Sequence, residues 1–299
     1  MDKLCARSAF DREWGACEPA RMSRAEQRRN RLPRLWQHEA MGAGLQRVLL
    51  RCLELAAAVA PKDVHRARLA LKRARAILRV GEALGLPWAG TARVRLARHA
   101  RRLGTARDWV VVAGVARECA LILRGDAKRC ALAVADAPPI AGAVRLSVWS
   151  RWLVSERVRL AGCPWPALTR RRLRRALAKS VSRVRKHSRA AGDTPGAGAL
   201  HEWRKTVIVL REQLYVLQPL VVRPQARLAV RLHHVARKLG AAGDWQMLID
   251  AVRGPSRRTV LEGGPGRLIA HAHDARHRAI AQARNRWSAL RHALRWKLV

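Results

Sequence analysis

The stretch VHRARLALKRARAILRV, residues 64–80, decides how this chain folds. Its small and apolar residues recur three and four positions apart, the spacing that puts them on one face of an α-helix. Basic residues recur at the same spacing on another face, in a stripe that spans about 21 Å. Like charges at this spacing destabilise a helix by about 1–2 kcal/mol in all, and a multivalent anion lying along them would remove that cost. The members of this stripe are His65, Arg68, Lys72, Arg75 and Arg79.

The chain contains an internal similarity. Residues 65–109 align without a gap to residues 201–245, and 16 of the 45 aligned pairs are identical. We interpret this as a duplication, in which the second stripe has lost two basic positions to Ile208 and Tyr215. The second copy is therefore predicted to be the weaker anion site or to be partly packed. Its basic residues are His201, Arg204, Lys205 and Arg211.

Each copy continues into another basic helix. If two similar half-domains pack about a pseudo-twofold axis, these helices would face a shared groove. The first copy contributes Arg95, Arg98, Arg101 and Arg102, and the second contributes Arg231, His234, Arg237 and Lys238.

The motif LGxxxDW closes both copies and is typical of a corner between two helices. Gly104 suits the left-handed position that ends a helix, and Asp108 suits the N-cap of the next one. Trp109 would then pack over the corner. The second copy repeats these residues as Gly240, Asp244 and Trp245.

The whole pattern predicts an all-α protein of two antiparallel helical bundles related by the duplication. No segment alternates as a strand would, and WVVVAGV (109–115) is predicted to begin a buried helix. The predicted parts are a basic arm over 1–30, a first half over 34–160, a proline-containing linker over 161–168 and a second half over 169–299. Helices are predicted at 34–59, 62–85, 90–103, 108–123, 140–160, 169–188, 199–218, 223–239, 244–253 and 266–296.

The charge balance is strongly basic: 61 Lys and Arg face 21 Asp and Glu, a formal net charge of +40. Such a balance predicts a polyanionic partner, either nucleic acid, polyphosphate or an anionic membrane. No apolar run approaches the ~20 residues of a membrane-spanning helix, and the opening MDKLCARSAFDREW is too charged for a secretory signal. The six cysteines form no CxxC pair and favour neither a zinc ribbon nor a disulfide framework, so we expect a cytoplasmic protein.

DVHRARLALKRARAILRV with LGTARDW downstream, and LHEWRKTVIVLR with LGAAGD, resemble the two halves of a CHAD domain, the conserved histidine α-helical domain. The resemblance covers roughly residues 34–299. It implies two helical bundles with pseudo-twofold symmetry that bind inorganic polyphosphate through basic side chains. The sequence departs from the family pattern at Ile208, where a basic residue is usual, and at Gly243. The residues that fall on the family's motif positions are His65, Arg68, Lys72, Arg75, His201, Arg204, Lys205 and Arg211.

Three other features have competing explanations. His273 and His277 are spaced as a helical zinc pair, but neighbouring arginines oppose a cation and no HExxH pattern occurs, so no metal is predicted. Core packing explains the eleven tryptophans better than stacking on bases does. The run RRRLRRALAK (170–179) is either a nucleic-acid or membrane patch or, as we favour, part of the same groove.

We therefore predict a cytoplasmic, non-enzymatic protein that binds inorganic polyphosphate and associates with polyphosphate granules. No nucleophile with its base and no carboxylate cluster for Mg²⁺ is recognisable, so neither catalysis nor a cofactor is predicted. The alternative is a helical protein that binds nucleic acid with the same patches. The residues predicted to bind polyphosphate are His65, Arg68, Lys72, Arg75, Arg79, Arg95, Arg98, Arg102, His201, Arg204, Lys205, Arg211, Arg231, His234 and Lys238.

Overall fold

The computed structural model describes residues 33–36, 38–60, 63–102, 105–137, 146–192, 195–220, 223–254 and 265–291. These residues form ten α-helices and one short 3₁₀ turn, and no strand occurs among them, which confirms the all-α prediction. The predicted arm over 1–30 lies outside the described residues. The helices are α1 Met41–Val59, α2 Val64–Ala83, α3 Pro87–Arg102, α4 Thr105–Ile122, α5 Gly125–Asp136, α6 Leu146–Ala161, α7 Arg170–Ala190, α8 Ala197–Val216, α9 Arg223–Arg253 and α10 Pro265–Arg291.

Helix α2 contains the stretch VHRARLALKRARAILRV, and local interactions explain where the helix begins and ends. Asp63 caps its start, since the carboxylate accepts the backbone N–H of Arg66 at 2.9 Å. Gly85 follows its end with a φ of +85°, a conformation that glycine adopts at little cost. The N–H of Leu86 then donates to the carbonyl of Gly81 at 3.0 Å and closes the last turn. The position of every stripe residue along the helix is therefore fixed from both ends.

The described chain divides into two compact units, whose boundaries fall inside α4, α9 and α10. The larger unit holds α1, α2, α3, α6, α7 and α8, with the first part of α9 and the last part of α10. The smaller unit holds most of α4, all of α5 and the remaining parts of α9 and α10. Each unit draws on both halves of the sequence, and the internal duplication stays a prediction from the sequence.

In the larger unit, α2 is the most enclosed helix. It packs against α1, α3, α7 and α8, while α6 packs against α1. A second group of helices, α7, α8, α9 and α10, shares an apolar core that includes Trp203, Leu210, Leu232 and Trp287. The contact between α2 and α8 joins the two groups, so the stripe-bearing helix lies where they meet.

The smaller unit has its own apolar core, and it contains a helix that the sequence analysis did not predict. The core includes Cys119 of α4, Leu248 of α9 and Leu268 of α10. Helix α5 adds Cys130 and Val134 to it. A helix of this length is marginal in isolation and depends on packing, which is why periodicity alone missed it.

The predicted helix corner at LGAAGDW is wrong. Helix α9 runs without interruption through Gly240 and Asp244, so the helices predicted at 223–239 and 244–253 are one. Gly240 serves close packing instead of chain reversal, because a Cβ at that position would lie 3.2 Å from Nη2 of Arg204. The glycine gives the arginine room against the helix backbone.

The first copy of the motif also differs from the prediction. Helix α4 begins at Thr105, so Asp108 lies inside its first turn instead of capping it, and Gly104 lies outside the described residues. Trp109 is in this first stretch of α4, and its indole N–H donates to the carbonyl of Ala137 at 3.0 Å. WVVVAGV lies within α4 and is helical, as predicted.

Candidate functional site

The predicted stripe lies on the most enclosed helix of the larger unit. Because other helices cover α2, every stripe residue is partly buried, and the small and apolar residues beside it are almost all fully buried. The stripe therefore lies partly buried where packed helices meet, and we name this partly covered junction the recess. Its members are His65, Arg68, Lys72, Arg75 and Arg79.

Arg75 lies among other arginines. Burial lowers the pKa of its guanidinium group, and four neighbouring positive charges lower it further. No carboxylate of the described residues pairs with Arg75, and its Nε is buried without a hydrogen-bond acceptor among them. The protein thus keeps a partly desolvated charge where its neighbours repel it. These neighbours are Arg93, Arg101, Arg79 and Arg68.

One carboxylate, that of Glu82, lies at the edge of these arginines. It accepts hydrogen bonds from Arg79 at 2.8 Å and from Arg93 at 2.9 Å. Burial raises the pKa of Glu82, but the two arginines outweigh it, and the pKa lies below its ordinary value. Burial and the charge of Arg93 lower the pKa of Arg79 despite this bond. One negative charge is shared between two arginines, and the surroundings stay strongly positive.

Two arginines of α3 outside the list of predicted binding residues belong here: Arg101, which was predicted to face the groove, and Arg93, which was not predicted. Arg93 and Arg101 lie close enough to Arg75 to lower its pKa. They share one side of α3 with Ala97, since the three residues are four positions apart. That spacing was visible in the sequence, but charge alone did not show which side of α3 meets α2.

The three α3 arginines that were predicted for the site lie on the opposite side of the helix. The guanidinium group of Arg95 bonds the buried carboxylate of Glu156 on α6 at 2.6 Å. Arg98 and Arg102 follow three and seven positions later and share that side with it. Arg95 is thereby held against α6, and the binding roles of Arg98 and Arg102 stay predictions.

Helix α7 contributes two further basic residues near the end of α2. Lys179 donates to the carbonyl of Ala83 at 2.8 Å. Arg183 lies one turn later, close enough to Arg79 to lower its pKa, and its Nη1 is buried without an acceptor among the described residues. The interpretation of the run 170–179 as part of the groove therefore fits Lys179. We name the resulting set the arginine cluster: Arg68, Arg75, Arg79, Arg93, Arg101 and Arg183.

The stripe of the second copy has different surroundings. Arg211 bonds Glu212 at 2.6 Å and contacts Nδ1 of His233 at 3.2 Å. Ile208 and Tyr215 pack against the apolar core. This is the partly packed arrangement that the sequence allowed for the second copy.

The other predicted residues of the second copy are spread over α8 and α9. Lys205 is exposed and pairs with Glu202 at 2.6 Å. Arg231 is exposed, and Lys238, about two helical turns further along α9, is partly buried. Arg204 lies against the backbone of α9, as described above. These groups form no counterpart to the arginine cluster.

Three histidines of the second copy have pKa values below the ordinary value of 6.5. Burial is the main cause for His201, and the charges of Lys205 and Arg204 add to it. Burial also lowers the pKa of His233 and His234, and neighbouring arginines act in the same direction. These surroundings favour the neutral form of all three rings in the free protein.

A buried ion pair holds α2 against α8. The side chains of Arg73 and Glu212 are 6% and 4% exposed and lie 2.9 Å apart. Arg211 bonds the other oxygen of the same carboxylate at 2.6 Å. The side-chain amide of Gln213 also donates to the carbonyl of Ala76 at 3.1 Å. These contacts set the position of the stripe-bearing helix.

Within the described parts of the chain, no three His, Cys, Asp or Glu side chains are grouped so as to hold a metal ion. Of the two histidines spaced as a zinc pair, His273 contacts Nη2 of Arg253 at 3.2 Å. No helix in the same parts of the chain is long and apolar enough to cross a membrane.

The fold and the site define an all-α protein with a cluster of arginines around Arg75, a residue that no carboxylate of the described residues pairs with. The family model described as CHAD domain matches residues 39–228, more than half of the chain, and the chain belongs to this family. The match begins just before α1, ends in α9 and contains the whole arginine cluster. No curated protein matches the chain.

Proposed function

We propose that the arginine cluster binds inorganic polyphosphate and that the protein acts by binding alone. The observation that carries the proposal is the state of Arg75, which is partly buried, surrounded by arginines and paired with no described carboxylate. A phosphate chain lying in the recess would bring negative charge to these guanidinium groups and an acceptor to the unpaired Nε. Binding would relieve the repulsion between the guanidinium groups, and this relief would favour the complex.

Guanidinium chemistry suits this ligand. Each planar group donates two hydrogen bonds to the oxygens of one phosphate, and such charge-assisted bonds are stronger than neutral ones. Partial burial strengthens them further, because the local dielectric constant is lower than in water and salt screens them less. Release of counterions from the polymer adds a favourable entropy term.

The composition of the recess favours a bare phosphate chain over nucleic acid. Proteins that read bases place amide side chains beside their arginines, and those that bind single strands add aromatic rings. The stripe on α2 contains only histidine, lysine and arginine, and α3 and α7 add arginine and lysine to it. Nucleic acid remains the competitor against which the proposal is tested.

The test is competition binding. Polyphosphate is expected to displace duplex DNA from the protein at equal phosphate concentration and moderate salt, because its thin chain reaches the partly buried guanidinium groups. Fluorescence anisotropy of a labelled duplex measures the displacement. If DNA instead displaces polyphosphate, the proposed function is wrong.

Charge reversal at the centre of the cluster tests the site. The variant Arg68→Glu with Arg75→Glu is expected to bind polyphosphate at least tenfold more weakly, since two of the six arginines become repulsive. Circular dichroism should show unchanged helicity. The matched control is Arg151→Glu with Arg157→Glu, two exposed arginines of α6, and it should bind nearly as well as the wild type. Equal affinity in the first variant would refute the site.

Binding without chemistry makes the protein a ligand of the polymer and not an enzyme that makes or cleaves it. A protein with such a site is expected to accumulate where the polymer is densest, at the polyphosphate granules of the cytoplasm. That location is part of the same proposal.

A further inference from the structure

Helix α4 of the smaller unit has apolar residues on its outward side as well as on its buried side. Val115 and Cys119 belong to the apolar core of that unit. Near the end of the helix, Leu121 is 83% exposed and Ile122 is 66% exposed, although leucine and isoleucine are usually buried. A helix that is apolar on all sides is normally covered. Binding of an anion by the arginine cluster does not explain these two exposed side chains.

Leu121 and Ile122 lie at the corner where α4 gives way to α5. The N–H of Leu123 donates to the carbonyl of Cys119 at 2.8 Å as α4 ends. Gly125 then begins α5 with a φ of +60°, a conformation that glycine adopts at little cost. The chain therefore turns sharply just after the two exposed side chains, and their high exposure shows that they project from this corner.

Helix α5 returns alongside α4 and adds a third exposed side chain. The guanidinium group of Arg117 on α4 donates to the carbonyl of Ala135 on α5 at 3.3 Å. Leu121 lies one turn after Arg117, and the exposed Leu132 lies about one turn before Ala135, so both belong to the stretch between this contact and the corner. We name Leu121, Ile122 and Leu132 the apolar corner.

Basic side chains accompany the apolar corner. Residues 117–132 contain four basic and two acidic residues, so this segment has a net positive charge. Arg124 and Lys128 are exposed, and no carboxylate of the described residues pairs with them. Bulky aliphatic side chains next to unpaired basic ones are typical of a contact with the surface of an anionic membrane.

We propose that the apolar corner is a peripheral membrane contact, which places its aliphatic side chains among the headgroups and outermost acyl chains of an anionic bilayer. Such contacts reach about 5–10 Å below the surface and do not cross the bilayer. The proposal is independent of the arginine cluster, because the corner belongs to the smaller unit.

Two other occupants fit the corner less well. A second copy of the chain would bring together two positively charged segments on molecules that each have a net charge of +40. A peptide from another protein is normally held in a groove, whereas side chains as exposed as Leu121 and Ile122 project from the surface. A bilayer receives a projecting group without needing a groove.

The experiment measures partition onto vesicles made of equal parts phosphatidylcholine and phosphatidylglycerol. The variant Leu121→Gln with Ile122→Gln keeps side-chain length and helix propensity but removes the aliphatic groups. Its partition coefficient is expected to fall about thirtyfold, through the loss of two buried aliphatic side chains. The loss should be the same in about 0.1 M and about 0.3 M salt, because salt screens charges and not apolar contacts. Circular dichroism should show unchanged helicity, since both side chains are exposed.

The matched control is Val154→Gln with Val158→Gln, two valines of α6 that are 52% and 64% exposed, and it should partition like the wild type. A second readout separates insertion from adsorption by charge: the wild type should raise the surface pressure of a monolayer of the same lipids, and the Leu121 and Ile122 variant should not.

Four results would overturn the inference. Wild-type partition in the Leu121 and Ile122 variant would leave the corner to a protein partner. An equal loss in the valine control would mean that any exposed apolar pair serves. A wild type that binds vesicles without raising the surface pressure would be held by charge alone. Wild-type dimers in analytical ultracentrifugation that the variant does not form would assign the corner to self-association.

Discussion

Arg75 shows at the scale of one residue how this protein is prepared for an anion. Burial and repulsion from these neighbours would favour the neutral form of a lysine, but arginine stays protonated at any physiological pH. The repulsion from its neighbours therefore remains in the folded protein as lost stability. The carboxylate of Glu82 bonds Arg79 and Arg93 instead.

Removing the charge of Arg75 is expected to stabilise the free protein. In Arg75→Gln, several like-charge interactions of a few tenths of a kcal/mol each disappear, so the free energy of unfolding rises by about 1 kcal/mol. For a unit of this size that corresponds to a melting temperature higher by about 2–4 °C in low-salt buffer without phosphate. Differential scanning calorimetry measures it.

The same variant should gain less stability from added polyphosphate than the wild type, since it has lost a ligand of the polymer. Arg157→Gln, an exposed arginine outside the cluster, is the control and should change the melting temperature little. A melting temperature of Arg75→Gln well below that of the wild type would contradict this prediction. It would show that the favourable contacts of Arg75 outweigh the repulsion from its neighbours.

At the scale of helices, the pairing of α2 with α8 determines where the stripe lies. The ion pair between Arg73 and Glu212 is almost fully buried, and Arg211 shares its carboxylate. An ion pair buried between two helices stabilises the fold less than apolar residues of similar size would. Removing one partner is nevertheless strongly destabilising, because it leaves the other charge buried and unpaired. The register of α2 against α8 therefore depends on this network.

Breaking the pair on one side is expected to be costly. Glu212→Gln leaves two partly or fully buried arginines without their carboxylate and should lower the free energy of unfolding by about 3–5 kcal/mol. The double variant Arg73→Met with Glu212→Leu removes both buried charges and should be destabilised less than Glu212→Gln alone. Urea unfolding measures both.

The exposed pair of Arg51 and Glu54 supplies the control. Glu54→Gln should lower the free energy of unfolding by less than about 1 kcal/mol, as surface ion pairs do. If Arg73→Met with Glu212→Leu loses as much stability as Arg73→Met alone and Glu212→Leu alone added together, Arg73 and Glu212 are not coupled.

At the scale of the whole molecule, an excess of 40 positive charges makes proton binding and anion binding depend on one another. The lowered pKa values of His201, His233 and His234 mean that the folded, free protein binds fewer protons near pH 6 than the unfolded chain does. Stability of the free protein therefore falls as pH falls below about 6.5. A polyanion that extends from the arginine cluster to these rings acts in the opposite direction, because it favours the protonated rings.

The affinity for polyphosphate is accordingly expected to rise as pH falls through about 6.5, by about tenfold between pH 8 and pH 6 if one ring gains a unit of pKa on binding. Calorimetry in two buffers of different ionisation enthalpy should show proton uptake on binding at pH 6.5. The variant His201→Gln, His233→Gln and His234→Gln should lose most of this dependence. An affinity that does not change with pH in the wild type would show that these rings do not sense the ligand.

The sequence by itself determined the all-α class, most of the helices, the CHAD family and the basic stripe on α2. These features depend on periodicity, capping residues and local composition, which act within one or two helical turns. It also located the second copy's apolar replacements at Ile208 and Tyr215, which do pack against the core.

Only the tertiary structure decided which basic residues meet. Arg93 and Arg101 lie close to Arg75, whereas Arg95 bonds Glu156 of α6. Which side of α3 is turned toward α2 depends on how α3 packs against its neighbours. Gly240 lies within a continuous helix, where its missing side chain leaves space for the guanidinium group of Arg204. Both outcomes depend on partners more than thirty residues away or on another helix, and no local pattern contains that information.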